Sequence, residues 1–237
     1  MKDKGFGRRA FLKRAVAGSA AAAAGTAGVV LPETPGVQAQ ATATTAAGYA
    51  FLNLDEAAFI EALVDHMVPA DALTPKGTDL GINVYIDRAL AGAWGKGDRL
   101  YTQGPWKPGL PSQGYQLPLT PAQLFRAGID GCNAYCKKTY SKPFDRLNET
   151  QREAVLLGMS GNKITFDNGL AVGAFWTALY QTVMEGMFAD PIHGGNKNKA
   201  GWKLIGFPGA IAVHRENVVK YLDKRLPTNP QGIADLS

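Results

Sequence analysis

Two cysteines and three histidines in 237 residues leave little material for a metal centre. Two thiols alone cannot complete a tetrahedral zinc or an iron–sulfur site. The histidines, His66, His193 and His214, stand far apart in the chain. No G-x-G-x-x-G between a strand and a helix is present, which removes the usual dinucleotide fold. No G-x-x-x-x-G-K-[ST] phosphate loop, C-x-x-C-H haem attachment or H-E-x-x-H metal motif occurs either. Runs of alternating residues and Val/Ile-rich strands are absent, and no repeat recurs at 20–50 residues. An excess of one charge is also missing from most of the chain. The formal charge is +5, but residues 1–39 hold six basic and two acidic residues, against nineteen and eighteen elsewhere. The pI near 9.1 is therefore mainly a property of the N-terminus. Net charge gives no support for nucleic-acid binding.

What remains is a globular composition, 46% apolar and 19% charged, with 28 glycines and 14 prolines. It predicts helices joined by long irregular connections. Asn53 or Asp55 caps a helix reaching about Val68, with Phe59, Leu63, Val64 and Met67 on one face. Pro69 stops it, and residues 69–81 form a loop. A second helix is expected over 82–94, with Ile82, Ile86, Ala89, Leu90 and Ala93 inward. Residues 95–118 form an irregular stretch with Pro105, Pro108, Pro111 and Pro118, anchored by Tyr101, Trp106 and Tyr115. Thr120-Pro121-Ala122-Gln123 has the form of a capping box that opens a helix to about Tyr140. Asn148 starts a short helix to about Leu157. Asp167 is read as the cap of a helix over 168–188, whose apolar pairs recur every four residues and predict burial on most sides. A last helix spans about 214–225, carries Val218, Val219 and Leu222, and ends at Pro227. The fold class is all-α, an irregular helical domain with long Pro/Gly-rich loops.

The first 39 residues read as a targeting segment. A basic region ends in Arg8-Arg9-Ala10-Phe11-Leu12-Lys13. A weakly apolar run follows from Ala15 to Leu31, 17 residues poor in Leu, Ile and Phe. A spanning helix needs roughly 20 strongly apolar residues. Val37-Gln38-Ala39-Gln40-Ala41 offers small-residue cleavage sites. The Arg-Arg-x-Phe-Leu-Lys string resembles a twin-arginine export signal, with Gly7 where Ser or Thr is common. That resemblance implies export of an already folded protein into the periplasm through the twin-arginine translocase. Arg8, Arg9, Phe11, Leu12 and Lys13 are its signal residues. Residues 40–51 are expected to be a flexible tether, and residues 52–237 a single helical domain.

Few side chains suggest catalysis. Asp65, Asp71, Asp87, Asp167, Glu185 and Asp190 are candidate acid/base carboxylates, but no spacing selects two of them. Solvated or capping roles fit them better. Cys132 and Cys136 lie i, i+4 on one helix and share a face. A strained local bridge, a disulfide from either cysteine to a partner, and two buried thiols all remain open.

The most unusual segment runs from Glu185-Gly186-Met187-Phe188-Ala189-Asp190-Pro191-Ile192-His193-Gly194-Gly195-Asn196 through Gly201-Trp202 to Gly206-Phe207-Pro208-Gly209. Gly and Asn allow tight turns of positive φ, and Pro stiffens the entry. Such a loop either packs on its own domain or presents aromatic anchors such as Trp202 and Phe207 to another protein.

With these residues the chain resembles the gluconate 2-dehydrogenase subunit 3 family. The likeness rests on Glu185-Gly186-x-Phe188-x-Asp190-Pro191, Gly194-Gly195-Asn196, Gly201-Trp202 and Gly206-Phe207-Pro208-Gly209. It extends to Val68-Pro69-Ala70-Asp71, Gly81 and Tyr85-Ile86-Asp87. His193 replaces the family's usual Tyr. The resemblance implies a non-catalytic small, or gamma, subunit of a membrane-associated sugar or sugar-acid dehydrogenase. Its partners would be an FAD-containing flavoprotein large subunit and a multihaem c-type cytochrome, with no cofactor in this chain. It would carry the export signal for the large subunit and help it assemble. Asp190, Pro191, His193, Gly194, Gly195, Asn196, Trp202, Phe207 and Pro208 would then form the partner-binding segment. A stand-alone periplasmic enzyme using Asp190 and His193, or a small-ligand-binding module, are the alternative readings.

Overall fold

The computed structural model describes residues 48–98, 100–101, 103–104, 106–107, 110, 117–210 and 214–236. The signal residues Arg8, Arg9, Phe11, Leu12 and Lys13, with eleven residues of the 95–118 stretch, lie outside the described residues. Residues 45–237 cluster as one compact unit. Eight α-helices are described: α1 (Leu54–Met67), α2 (Ile82–Ala91), α3 (Ala93–Lys96), α4 (Pro121–Tyr140), α5 (Glu149–Ser160), α6 (Val172–Phe188), α7 (Ala200–Ile205) and α8 (Asn217–Lys220). Among the described residues there is no strand; an isolated bridge joins Gly209 and Gln231. The fold is all-α.

Three helices begin where their capping residues dictate. Asn53 accepts from the Glu56 N–H, and the Glu56 carboxylate accepts from the Asn53 N–H, each at 2.9 Å. Thr120 with Gln123 and Asn148 with Gln151 make the same reciprocal pair. Each box satisfies two backbone groups that a helix start otherwise leaves to water. Pro121 stands at the first position of α4, where its missing N–H costs nothing.

Behind these starts the core is aromatic. Phe59, Phe125, Phe144 and Phe175 are fully buried. Each contributes about 2–3 kcal/mol of transfer free energy. Phe59 packs on Phe144 at 4.8 Å between ring centres, and Phe125 meets Phe175 edge-on at 5.9 Å. At the α4–α6 crossing, a Cβ on Gly128 would lie 2.2 Å from the Phe175 ring. Only glycine lets the two helices come so close.

Four expectations are corrected. The helix expected over 82–94 stops at Ala91, because Gly92 turns extended (φ −83°, ψ −169°). Ala93, expected inward, is exposed in the short α3. Asp167 caps nothing: it is exposed and faces Lys138 at 3.3 Å, and α6 starts only at Val172. The Asn168 side chain instead bonds the Ala127 carbonyl and the Leu170 N–H, and Gly169 takes φ 75°, which interrupts the helix. Burial of α6 is one-sided, with Phe175, Leu179 and Val183 enclosed while Tyr180 is 47% exposed. The helix expected over 214–225 is a single turn, and Val218, Val219 and Leu222 are 70%, 83% and 78% exposed. So short a helix is marginal in water unless its apolar face is covered.

The last residues of the expected tether are docked. Asp87 on α2 is buried, and its carboxylate accepts the backbone N–H groups of Ala50, Phe51 and Leu52 at 2.8, 2.8 and 3.0 Å. The Arg126 guanidinium sits 4.4 Å over the Phe51 ring and 3.3 Å from Glu56. The Tyr49 hydroxyl donates to Glu61 and accepts from Asn83, both at 2.5 Å. Asp87 is thus the acceptor for a segment that has no sheet or helix of its own. Asp87→Ala should lower stability by about 3 kcal/mol, since three N–H groups lose their partner. Urea unfolding of the purified chain checks this, with Asp87→Asn expected to lose less.

Candidate functional site

The loop of residues 189–209 follows α6 directly and folds back over its end. Gly195 makes that return possible. A Cβ there would lie 2.1 Å from the Gly186 carbonyl oxygen of α6. Gly194, at φ 103°, turns the chain against Val84 and Arg88 of α2. The Lys197 N–H then donates to the Leu80 carbonyl at 3.0 Å, tying the loop to the start of α2.

Asn196 is the internal staple. It is fully buried at φ 46°. Its amide donates to the Ala189 carbonyl at 2.9 Å, and its side-chain oxygen accepts the Gly201 N–H at 2.8 Å. It thereby closes the loop across both ends. Trp202 on α7 is also turned inward at 5% exposure, and its indole N–H donates to the Phe188 carbonyl at 2.6 Å. The Trp202 ring meets Phe207 edge-on at 5.2 Å. Trp202 therefore anchors the loop to its own domain.

Asp190 holds two turns at once. One carboxylate oxygen accepts the Ile192 N–H at 3.0 Å and the other accepts the Ile233 N–H at 2.8 Å. The C-terminal turn Ile233–Asp235 is thus drawn under the loop, where Lys199 pairs with Asp235 at 2.5 Å. The Lys199 ammonium and the Gly232 N–H hold the Asp235 carboxyl below its usual range. A further tie forms on either side of Gly209, where the Gln231 N–H donates to the Pro208 carbonyl at 3.3 Å and the Gln231 carbonyl accepts the Ala210 N–H at 2.8 Å.

The residues expected to meet a partner therefore divide. Gly195, Asn196 and Trp202 are buried, and Asp190, Pro191, Gly194 and Pro208 are half-buried. His193 and Phe207 face outward, joined by Ile192, Leu204 and Ile205 at 49%, 41% and 59% exposure. These last three belong to the same stretch, but their sequence pattern gave no reason to separate them from core residues.

The remaining candidates serve the fold. Asp65 accepts from Lys76 and from the Thr78 N–H, both at 2.8 Å. Burial alone would raise its pKa, but these partners outweigh it and hold the carboxyl low. Asp71 accepts the Leu73 and Thr74 N–H groups at 2.7 Å and shapes a turn. His66 pairs with Glu153 at 2.9 Å, and His214 lies 3.0 Å from both the Pro208 carbonyl and the Asn217 amide. Among the described residues, no group of three His, Cys, Asp or Glu is placed to hold a metal. Nor is any described helix long and apolar enough to cross a membrane.

Cys132 and Cys136 are free thiols, fully enclosed on the inner face of α4. Their mutual hydrogen bond, and then burial, push the Cys132 thiol well above its ordinary range. A protonated, enclosed thiol is a poor nucleophile. Of the three arrangements left open by the sequence, the described residues show both sulfurs unbridged and enclosed.

Asn196→Ala would strand a buried carbonyl and a buried N–H and place alanine in the left-handed region. A loss of about 3 kcal/mol is expected, read as a lowered urea midpoint. Trp202→Phe, which keeps the ring and removes the N–H, should lose about 1 kcal/mol by the same measure.

The architecture is thus a helical body with a glycine-shaped loop locked over the end of α6. No curated protein and no solved structure matches the chain. The family model for gluconate 2-dehydrogenase subunit 3 does match, over residues 54–209, which spans α1 through the closed loop. The chain belongs to the gluconate 2-dehydrogenase subunit 3 family and is by that membership a subunit of a dehydrogenase complex.

Proposed function

We propose that this chain is the non-catalytic small subunit of a periplasmic, membrane-associated, FAD-dependent sugar or sugar-acid dehydrogenase. It carries a twin-arginine leader on behalf of a flavoprotein large subunit and supports the folding and assembly of that subunit. FAD belongs to the large subunit and c-type haem to a cytochrome partner.

Family membership supports this reading, and one structural observation carries it further. In the matched region the polar side chains are spent on holding backbone. Asp87 gathers three N–H groups, Asn196 bridges the loop, and Asp190 joins two turns. The loop turns four large apolar side chains outward, Ile192, Leu204, Ile205 and Phe207, among the exposed polar residues His193, Lys197, Asn198 and Lys203. Exposed apolar side chains within a polar surround suit association with another protein. A permanent contact would bury more than about 2,000 Å².

The leader is the element to test. Replacing Arg8 and Arg9 together by lysine should leave both this chain and its flavoprotein in the cytoplasm. Fractionation with immunodetection of both subunits checks this. The expected result is near-complete loss of dehydrogenase activity from the periplasmic side. Normal activity there would refute the export role.

A further inference from the structure

The outward face of α6 lacks what a solvent-facing helix normally carries. In the seventeen residues Val172–Phe188 the only charged side chain is Glu185. Surface helices usually place several charges on the face away from the core. Here the outward residues are Thr177, Tyr180, Gln181 and Glu185. Tyr180 stacks with Trp176 at 5.9 Å. Depletion of charge with exposed aromatics is the composition of an interface centre.

Beside this face lies a cleft of about 480 Å³. Its walls include Trp94 of α3, Pro121 and Leu124 of α4, and Ala174 and Ala178 of α6, with Glu185 at its edge. Trp94 is 42% exposed. The lining is mostly carbon, so the cleft suits an apolar side chain.

Glu185 is oriented but not neutralised. One oxygen accepts the Tyr85 hydroxyl at 3.2 Å, and the other accepts the Gln181 amide at 2.9 Å. Among the described residues, no lysine, arginine or histidine lies within ion-pair distance of it. Burial, and then the nearby Glu185 charge, push the Tyr85 phenol up to about 12, so it remains a donor. Among the described residues the carboxylate is therefore oriented by two neutral donors and without an ion-pair partner, and it lines a largely apolar cleft. Thr177, Gln181 and Thr182 also line the cleft, but its surface is mainly carbon, and like charge from Glu185 disfavours a sugar acid there.

We propose that the cleft and the outward face of α6 dock a segment of the flavoprotein subunit, with an apolar side chain in the cleft and a lysine or arginine on Glu185. This rests on the function proposed above. The surface is separate from the apolar residues of the 189–209 loop, so the two would meet the partner at different points of this chain.

The test uses the full chain, tagged at its C-terminus and co-produced with the other subunits of the complex. Flavin retained per tagged chain is measured across a salt series. Wild type should retain flavin and lose it as salt rises. Ala178→Trp, which fills the cleft, and Glu185→Arg, which reverses the charge, should each lower retention by about tenfold or more. Glu185→Gln should flatten the salt dependence. Melting curves confirm that each variant is folded. A photo-cross-linking residue at the exposed Thr177 supplies a measurement that does not depend on those variants. Its adduct should map to a flavoprotein peptide containing lysine or arginine.

Full flavin retention by both Ala178→Trp and Glu185→Arg would overturn the docking site while leaving the subunit assignment intact. So would a Thr177 adduct confined to the cytochrome. A small apolar molecule released from wild type and missing from Ala178→Trp, with flavin retention unchanged, would instead identify a ligand site. Failure of the wild-type chain to retain any flavoprotein would overturn the proposed function and this inference together.

Discussion

The return of the chain over α6 depends on one close backbone contact, the approach of Gly195 to the Gly186 carbonyl. No side chain fits between them. Once the two backbones touch, the next residue falls beneath the surface. Asn196 must then satisfy the groups that this burial cuts off from water, and its two bonds to Ala189 and Gly201 do so. Trp202 follows into the space behind the turn and covers the Phe188 carbonyl. Each step is forced by the one before it, because a buried peptide group without a partner costs about 1–3 kcal/mol. The motif is therefore a chain of steric and hydrogen-bonding consequences more than a set of contact residues.

The same logic explains the carboxylates. A helical domain with long connections has many N–H groups outside regular structure. Asp87, Asp71, Asp65 and Asp190 each accept backbone N–H groups of such connections. Acidic side chains do this well because a charged acceptor strengthens the bond. Their scatter along the chain, uninformative as a catalytic pattern, follows the scatter of the irregular segments they hold.

Local signals were the legible part. The capping box at Thr120 depends on residues three apart, and its helix starts where that spacing places it; Asn148 starts a helix as read, and of Asn53 and Asp55 it is Asn53 that caps the first. The glycine-rich loop was visible for the same reason. Three features were not legible, because each depends on contacts distant in sequence. Asp87 reaches a segment some 35 residues away, so nothing local distinguished residues 49–51 from a tether. Asp190 reaches Ile233 across 43 residues. Trp202 has a composition equally fit for an interface and a core, and only the fold decides that it points inward. The segment carrying Val218, Val219 and Leu222 differed in the opposite direction: a long helix was expected, but only one turn forms and all three side chains are exposed.

The two faces of α6 then divide the labour of the subunit. The inner face carries Phe175, Leu179 and Val183 and joins the aromatic core. Gly186 and Met187, near its end, receive the returning loop through contacts with Gly195 and Gly201. The outer face has neither task, yet it has not taken on the charges that solvent exposure favours. A helix held by its core on one side and its loop at the end is rigid before any partner arrives. Binding to such a helix need not order the surface first, and the entropy cost of association falls accordingly. In the docking proposed above, the oriented Glu185 carboxylate would fix the register of the partner more than it would add to the strength of the contact.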